Sequence, residues 1–198
     1  MSTQKVLVQK DNRENMNTYS PSSPPRTQDV KIDDSILERT LIPYKRKGTI
    51  YLKDAYAKHA HVNNSDSDIQ NTVLHSIKEL FSIPESCYAD ASGHFNAVEF
   101  NICYNQLIYV SFAYGIDEGL IPAFDDLSLD EYYRKQFSDV YITHLESHYK
   151  RVINPRNFYG VLKINKAKKR QGLIMFDTDI KFWDDDGLAY GSVNIVVV

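Results

Sequence analysis

The chain is short of most features that would anchor a function to covalent or metal chemistry. Two cysteines, Cys87 and Cys103, stand among 198 residues. That is too few for a disulfide scaffold, and the pair lacks zinc-ligand spacing. Long apolar runs are also missing: none approaches the ~20 residues that a membrane-spanning helix needs, so no membrane span is expected. Positive charge is not in excess, with 23 Lys plus Arg against 26 Asp plus Glu and a net charge of −3, so nothing global favours a nucleic-acid partner. Tryptophan occurs once. Tyrosine, by contrast, occurs 14 times beside 9 Phe. Phenols pack well yet still need hydrogen-bond partners, which suits a polar pocket in a soluble protein.

Residues 1–32 read as a disordered tail and 33–198 as one domain. Met1–Asp29 is rich in Ser, Thr, Asn, Gln and Pro, and Ser20-Pro21-Ser22-Ser23-Pro24-Pro25 removes backbone donors. Val6-Leu7-Val8 is too short for the apolar stretch of a signal peptide and is closely flanked by charge, so a cytoplasmic protein is expected.

Beyond the tail, Asp33 caps a short helix carrying Ile36, Leu37 and Leu41 that Pro43 is expected to end. Gly48–Lys58 reads as a strand, His59–Asn71 as a loop or a poorly specified hairpin turn, and Thr72–Ile77 as another short strand. Asn96 and Glu99 form an N-x-x-E capping box ahead of a helix to Tyr114, apolar nearly all round and therefore buried. Ser128 and Glu131 open a second, shorter helix to about Phe137. Strands follow over Val140–Ile153, Phe158–Ile164, Leu173–Trp183 and Leu188–Val198, the last two joined by Asp184-Asp185-Asp186-Gly187, where Asp-Gly signals a hairpin. A long buried helix wrapped by a curved antiparallel sheet of about six strands is the hotdog arrangement, an α+β fold.

Three motifs carry a resemblance: Gly93-His94-Phe95-Asn96-Ala97-Val98-Glu99, Cys103-Tyr104-Asn105-Gln106-Leu107-Ile108-Tyr109 and Phe182-Trp183-Asp184-Asp185-Asp186-Gly187. Ile42-Pro43-Tyr44, Leu127-Ser128-Leu129-Asp130-Glu131-Tyr132 and Asn154-Pro155 fit the same order. Together they resemble the FcoT family of hotdog thioesterases over roughly Ile36 to Val198, while the 56–81 stretch looks longer than the family's equivalent. The resemblance implies a homo-oligomer, dimer or higher, acting on a fatty acyl thioester of coenzyme A or of an acyl carrier protein, with no cofactor. Family members tied to isonitrile lipopeptide pathways add glycine to the β-carbon of a (2E)-enoyl-carrier thioester and then release the acid. Plain hydrolysis of long-chain acyl-CoA, and a non-catalytic acyl-thioester-binding module, are the alternatives.

Family catalysis rests on Tyr and Asn, and the matching positions are Tyr44, Tyr88, Asn96, Asn105 and Tyr109. At a helix N-terminus, Asn96 stands where free N–H groups and the helix dipole favour the negative charge of a developing oxyanion. Asn105 and Tyr109, four apart, share a helix face. His94 and Glu99 flank the helix start and could bind substrate or move a proton, although Glu99 is equally the partner a capping box requires. His59-Ala60-His61 with Asp66 and Asp68 lacks a third fixed ligand, so no metal is expected. Asp184–Asp186 reads as a solvated turn, and Cys103 as core rather than nucleophile. Two basic clusters, Lys45-Arg46-Lys47 and Lys163 to Arg170 in a predicted hairpin connection, could meet coenzyme A phosphates or an acidic carrier surface, or could simply be solvated.

Overall fold

A computed structural model describes residues 29–59, 75–90 and 93–198. Its centre is the helix α2, Ala97–Asp117, which the Asn96–Glu99 capping box opens. The helix ends where Gly119 adopts φ +62°, letting Leu120 donate back to the Gly115 carbonyl at 2.8 Å. The helix is apolar over most of its circumference because it is covered on both sides. The sheet lies against one side, while α1 (Asp34–Lys45) and α3 (Leu129–Lys135) cover much of the other.

Among the described residues the sheet has seven antiparallel strands: β1 Val30–Lys31, β2 Leu52–His59, β3 His75–Phe81, β4 Val140–Arg151, β5 Phe158–Arg170, β6 Leu173–Trp183 and β7 Leu188–Val197. They run in the order β1-β2-β3-β5-β6-β7-β4, which leaves β4 on one edge, paired among the described residues to β7 alone. Aromatic rings fill the space between sheet and helix: Phe95, Phe100, Phe158 and Phe182 lie with centroids 4.8–6.2 Å apart near the start of α2. Farther along, Phe112 and Phe124 pack on Phe176. The helix is also pinned by a polar clamp. Gln106, fully buried, accepts from the Tyr51 and Leu52 N–H groups at 3.0 Å each and donates to the Thr49 carbonyl at 2.6 Å.

Several sequence expectations shift. The sheet gains a strand from the segment given to the tail: Val30 and Lys31 pair with Ala57 and Tyr56, and Ile32 is fully buried, so apolar burial begins before Asp33. Pro43 does not end α1, which continues to Lys45; so close to the C-terminus its missing N–H forfeits only one intrahelical bond. The exit comes at Gly48, φ +66°, and β2 starts four residues later. Strand β3 runs on to Phe81, past the expected Ile77, while residues 60–74, including His61, Asp66 and Asp68 of the histidine motif, lie outside the described residues. The lysine-rich stretch is no connection: β5 continues through it to Arg170, and the turn is Gln171-Gly172, both at positive φ. Cross-strand pairing with β6 carries the strand through a charged sequence that lacks apolar alternation.

Candidate active site

The sequence-selected side chains gather in two groups along one helix. At the start of α2, Asn96 uses both ends of its amide. Oδ1 accepts from the Val98 N–H at 2.9 Å, and Nδ2 donates to the Tyr88 hydroxyl. Glu99 closes the corner: Oε2 accepts from the Asn96 N–H at 3.2 Å, and Oε1 accepts from the Ser86 hydroxyl at 2.8 Å. Only 1% of Glu99 is exposed, whereas Tyr88 is 52% exposed. This corner is therefore a buried, hydrogen-bonded base supporting a half-open pair, Asn96 and Tyr88. His94, two residues before the cap, is exposed and lies outside this set of hydrogen bonds.

The second group lies farther along the helix. Asn105 is nine residues past the cap, about 13 Å at 1.5 Å per residue, and Tyr109 follows one turn later. At 100° per residue Val98, Ile102, Asn105 and Tyr109 fall on one stripe. Val98, 41% exposed, and the half-buried Ile102 and Asn105 make that stripe the least covered part of α2. Tyr44 arrives from the last turn of α1. Its ring and that of Tyr109 both pack on Phe137, at centroid distances of 5.7 and 4.9 Å. Burial raises both phenols above their ordinary values, and for Tyr44 the nearby Tyr109 and Cys103 add to the effect. Both hydroxyls thus stay protonated through neutral pH and serve as donors rather than bases. The Tyr109 carbonyl accepts from the buried Tyr132 hydroxyl at 2.8 Å, which ties α3 to this end of the site.

The sequence reading passed over Ser86, which orients Glu99, and Phe137, which is half-exposed yet bridges two candidate phenols. Neither carries a sequence signal, because each matters only through residues distant in the chain. Cys103 is fully buried and its thiol is pushed well up by desolvation, with Glu99 and Glu79 facing it, so it remains an inert core group. The Asp184 turn is held from within: its carboxylate accepts from the Asn154 N–H at 2.6 Å and from the Asp186 and Gly187 N–H groups. The cluster at Lys45, Arg46 and Lys47 is exposed, and Lys169 is paired with Asp126 at 3.0 Å. Among the described residues no helix is long and apolar enough to cross a membrane.

Residues 39–197 match the FcoT-like thioesterase domain. A (2E)-enoyl-[ACP] glycyltransferase of Streptomyces coeruleorubidus is 34% identical over 172 residues, covering 84% of this chain and 97% of that protein. A protein of the same name from Mycobacterium marinum is 33% identical over 171 residues, covering 84% of this chain and 87% of its own length. Among solved structures, a mutant thioesterase from Pseudomonas aeruginosa is 10% identical with a TM-score of 0.42, covering 84% of this chain and 94% of that one.

Proposed function

The chain belongs to the FcoT-like thioesterase family, and from that premise we propose that it adds glycine to the β-carbon of a (2E)-enoyl thioester carried on an acyl carrier protein. Hydrolysis of the thioester then releases a 3-(carboxymethylamino) fatty acid. The relatives named for the glycyl transfer, matched over most of their length, support this reading over hydrolysis alone.

The observation that carries the mechanism is the Asn96–Tyr88 pair. Nδ2 has two hydrogens, and only one is given to Tyr88. Because the Tyr88 oxygen accepts that hydrogen, its own O–H is left to point away from Asn96. The second Asn96 hydrogen and the Tyr88 hydroxyl can then converge on one thioester carbonyl oxygen at the positive end of α2. Polarising that oxygen withdraws electrons from the conjugated double bond, so the β-carbon becomes electrophilic towards the amine and negative charge collects on the oxygen. Once the double bond is saturated, the same two donors stabilise the tetrahedral intermediate formed by water. One polarising corner serves both steps. Asn105 and Tyr109, farther along the stripe, and Tyr44 from α1 act as neutral donors that orient the substrate and bind the glycine carboxylate, and Phe137 supplies an apolar wall.

The working unit is a homo-oligomer in this reading. Ile142, Leu145 and Tyr149 on the edge strand β4 are level with Ile195, Val193 and Ala189, which are buried against the core. Those three side chains are 36–43% exposed, and a second copy would cover them. The test of the reaction is the mass of the acid released from an enoyl-loaded carrier protein with and without glycine. The adduct, heavier by one glycine and formed only when glycine is present, is expected. Equal release of the unmodified enoic acid in both samples would reduce the activity to hydrolysis.

A further inference from the structure

Positive charge is spread unevenly over this chain. From Arg39 to Lys53 it carries five cations, Arg39, Lys45, Arg46, Lys47 and Lys53, and no Asp or Glu, although the net charge is −3. Arg39 is paired with Asp130 at 2.7 Å. Lys45, Arg46 and Lys47 are exposed, and among the described residues none of the three is in an ion pair. The Tyr44 carbonyl accepts from the Lys47 and Thr49 N–H groups at 3.2 Å each, which winds the three cations into one compact turn. Ile42, 60% exposed, lies one turn before Lys45 and Arg46 on the same face. The dipole of α1 favours a cation in its last turn, yet Arg46 and Lys47 already lie beyond its end at Lys45.

This turn adjoins the candidate site. Tyr44, next in the chain to Lys45, shares Phe137 with Tyr109. After the turn the chain runs along α2, because Gln106, the neighbour of Asn105, holds Thr49, Tyr51 and Leu52 against the helix. The open stripe of α2 thus has the cationic turn near its Tyr109 end and the Asn96 corner at the other, about 20 Å away at 1.5 Å per residue. An extended phosphopantetheine arm spans that separation. The second basic cluster differs on both counts. Its charges are answered within the fold: Lys163 is level with Asp179, Lys166 with Asp177, and Lys169 is paired with Asp126. It also runs away from the corner. Phe158, at the start of β5, packs on Phe95, and Arg170 lies twelve residues farther, about 40 Å along an extended strand.

We propose that Lys45, Arg46 and Lys47, with Ile42 beside them, form the surface on which the acyl carrier protein docks to deliver its thioester. This assignment rests on the carrier-thioester reading above and is independent of whether glycine is added. The carrier brings an anionic phosphodiester at the root of its arm, and an acidic surface around that root is the complement that three unpaired cations select. One guanidinium and two ammonium groups supply donors for both, while Ile42 gives the contact an apolar point. A second copy of this chain does not suit the patch, since a two-fold contact would set like charges against each other. Docking of this kind acts on encounter: complementary charge raises association rates by roughly 10–10³-fold, and salt screens the gain.

The test compares wild type with the triple variant Lys45→Glu, Arg46→Glu, Lys47→Glu, both full chain. The same enoyl group is offered on acyl carrier protein, on coenzyme A and on N-acetylcysteamine, with glycine present. Free thiol is the readout, because it registers hydrolysis whether or not addition precedes it. The KM for the carrier substrate is expected to rise by about 10-fold or more with kcat held, and the N-acetylcysteamine thioester should turn over as in wild type. Raising the salt should lower kcat/KM on the carrier in wild type and leave it flat in the variant. Lys168→Glu with Arg170→Glu, at the end of the other cluster, should change none of the three. If charge reversal unsettles the last turn of α1, seen as a lower melting temperature, glutamine at the three positions takes its place with the same direction of effect. An unchanged KM for the carrier in the folded variant would overturn this assignment alone, as would an equal rise on coenzyme A, which would reduce the patch to a phosphate site. Equal wild-type efficiency on the carrier and on N-acetylcysteamine would overturn the carrier reading and this assignment with it.

Discussion

Asn96 donates a side-chain hydrogen bond to the hydroxyl of Tyr88, eight residues earlier in the chain. The tyrosine is half-exposed and the asparagine is the N-cap of the buried helix, so the pair joins a solvent-facing phenol to the central element of the fold. Tyr88→Phe should remove one oxyanion donor and leave the other without its hydrogen-bond acceptor. Turnover should drop by about 10²-fold, the range for loss of a single such donor, while the melting temperature stays where it was. Steady-state release of free carrier thiol, together with a thermal melt, checks both halves of that expectation.

Gln106 should prove structural. Its replacement by Leu strands the Tyr51 and Leu52 N–H groups and the Thr49 carbonyl in the interior, each of which then lacks its bond. Unsatisfied buried groups cost ~1–3 kcal/mol each, so a loss on the order of 3 kcal/mol is expected after partial relaxation. Urea denaturation at neutral pH measures it.

Glu79, buried with neither carboxyl oxygen hydrogen-bonded among the described residues, should leave a signature in stability. Its carboxyl is raised in the folded state by desolvation, so folding favours the protonated form. The associated stability is fully present below the ordinary carboxylate value and is lost as pH rises towards the raised one. Glutamine does not titrate. The Glu79→Gln variant and wild type should therefore melt together near pH 4, and the variant should melt progressively higher as pH increases. Melting curves that stay parallel across pH 4–9 would contradict the burial of an unpaired carboxyl.

The two thiols should separate cleanly. Cys87 is exposed and Cys103 is fully buried with a raised thiol value. A thiol reagent is expected to modify Cys87 alone in the native protein and both residues in denaturant. Rapid native labelling of Cys103 would mean that the centre of α2 is more accessible than its packing allows.

What the sequence made legible is what short-range chemistry encodes. Asn96 with Glu99 and Ser128 with Glu131 announce their helices, because a cap is a contact between residues three apart. The span of β6 could likewise be read directly, because Asp-Gly fixes its far end. Features set by distant partners were opaque. β5 runs through a lysine-rich stretch because β6 pairs with it, and Val30 becomes strand because Ala57 is there to pair. The same holds at the site. Asn96, Asn105 and Tyr109 carry motif and spacing, whereas Phe137 and Ser86 take their importance from neighbours that only folding brings close. Nothing local marks Glu79 as buried, since it sits between Lys78 and Leu80 in a strand of mixed polarity.

The most direct test of the account is a pair of single-turnover measurements on Asn96→Ala, one starting from the enoyl-loaded carrier with glycine and one from the carrier preloaded with the adduct. Because one corner polarises the carbonyl in both steps, addition and hydrolysis should both slow by ~10²–10³, with the fold intact by circular dichroism. Loss of one step with the other at its wild-type rate would mean that the two reactions use separate sites, and would contradict the shared Asn96–Tyr88 corner.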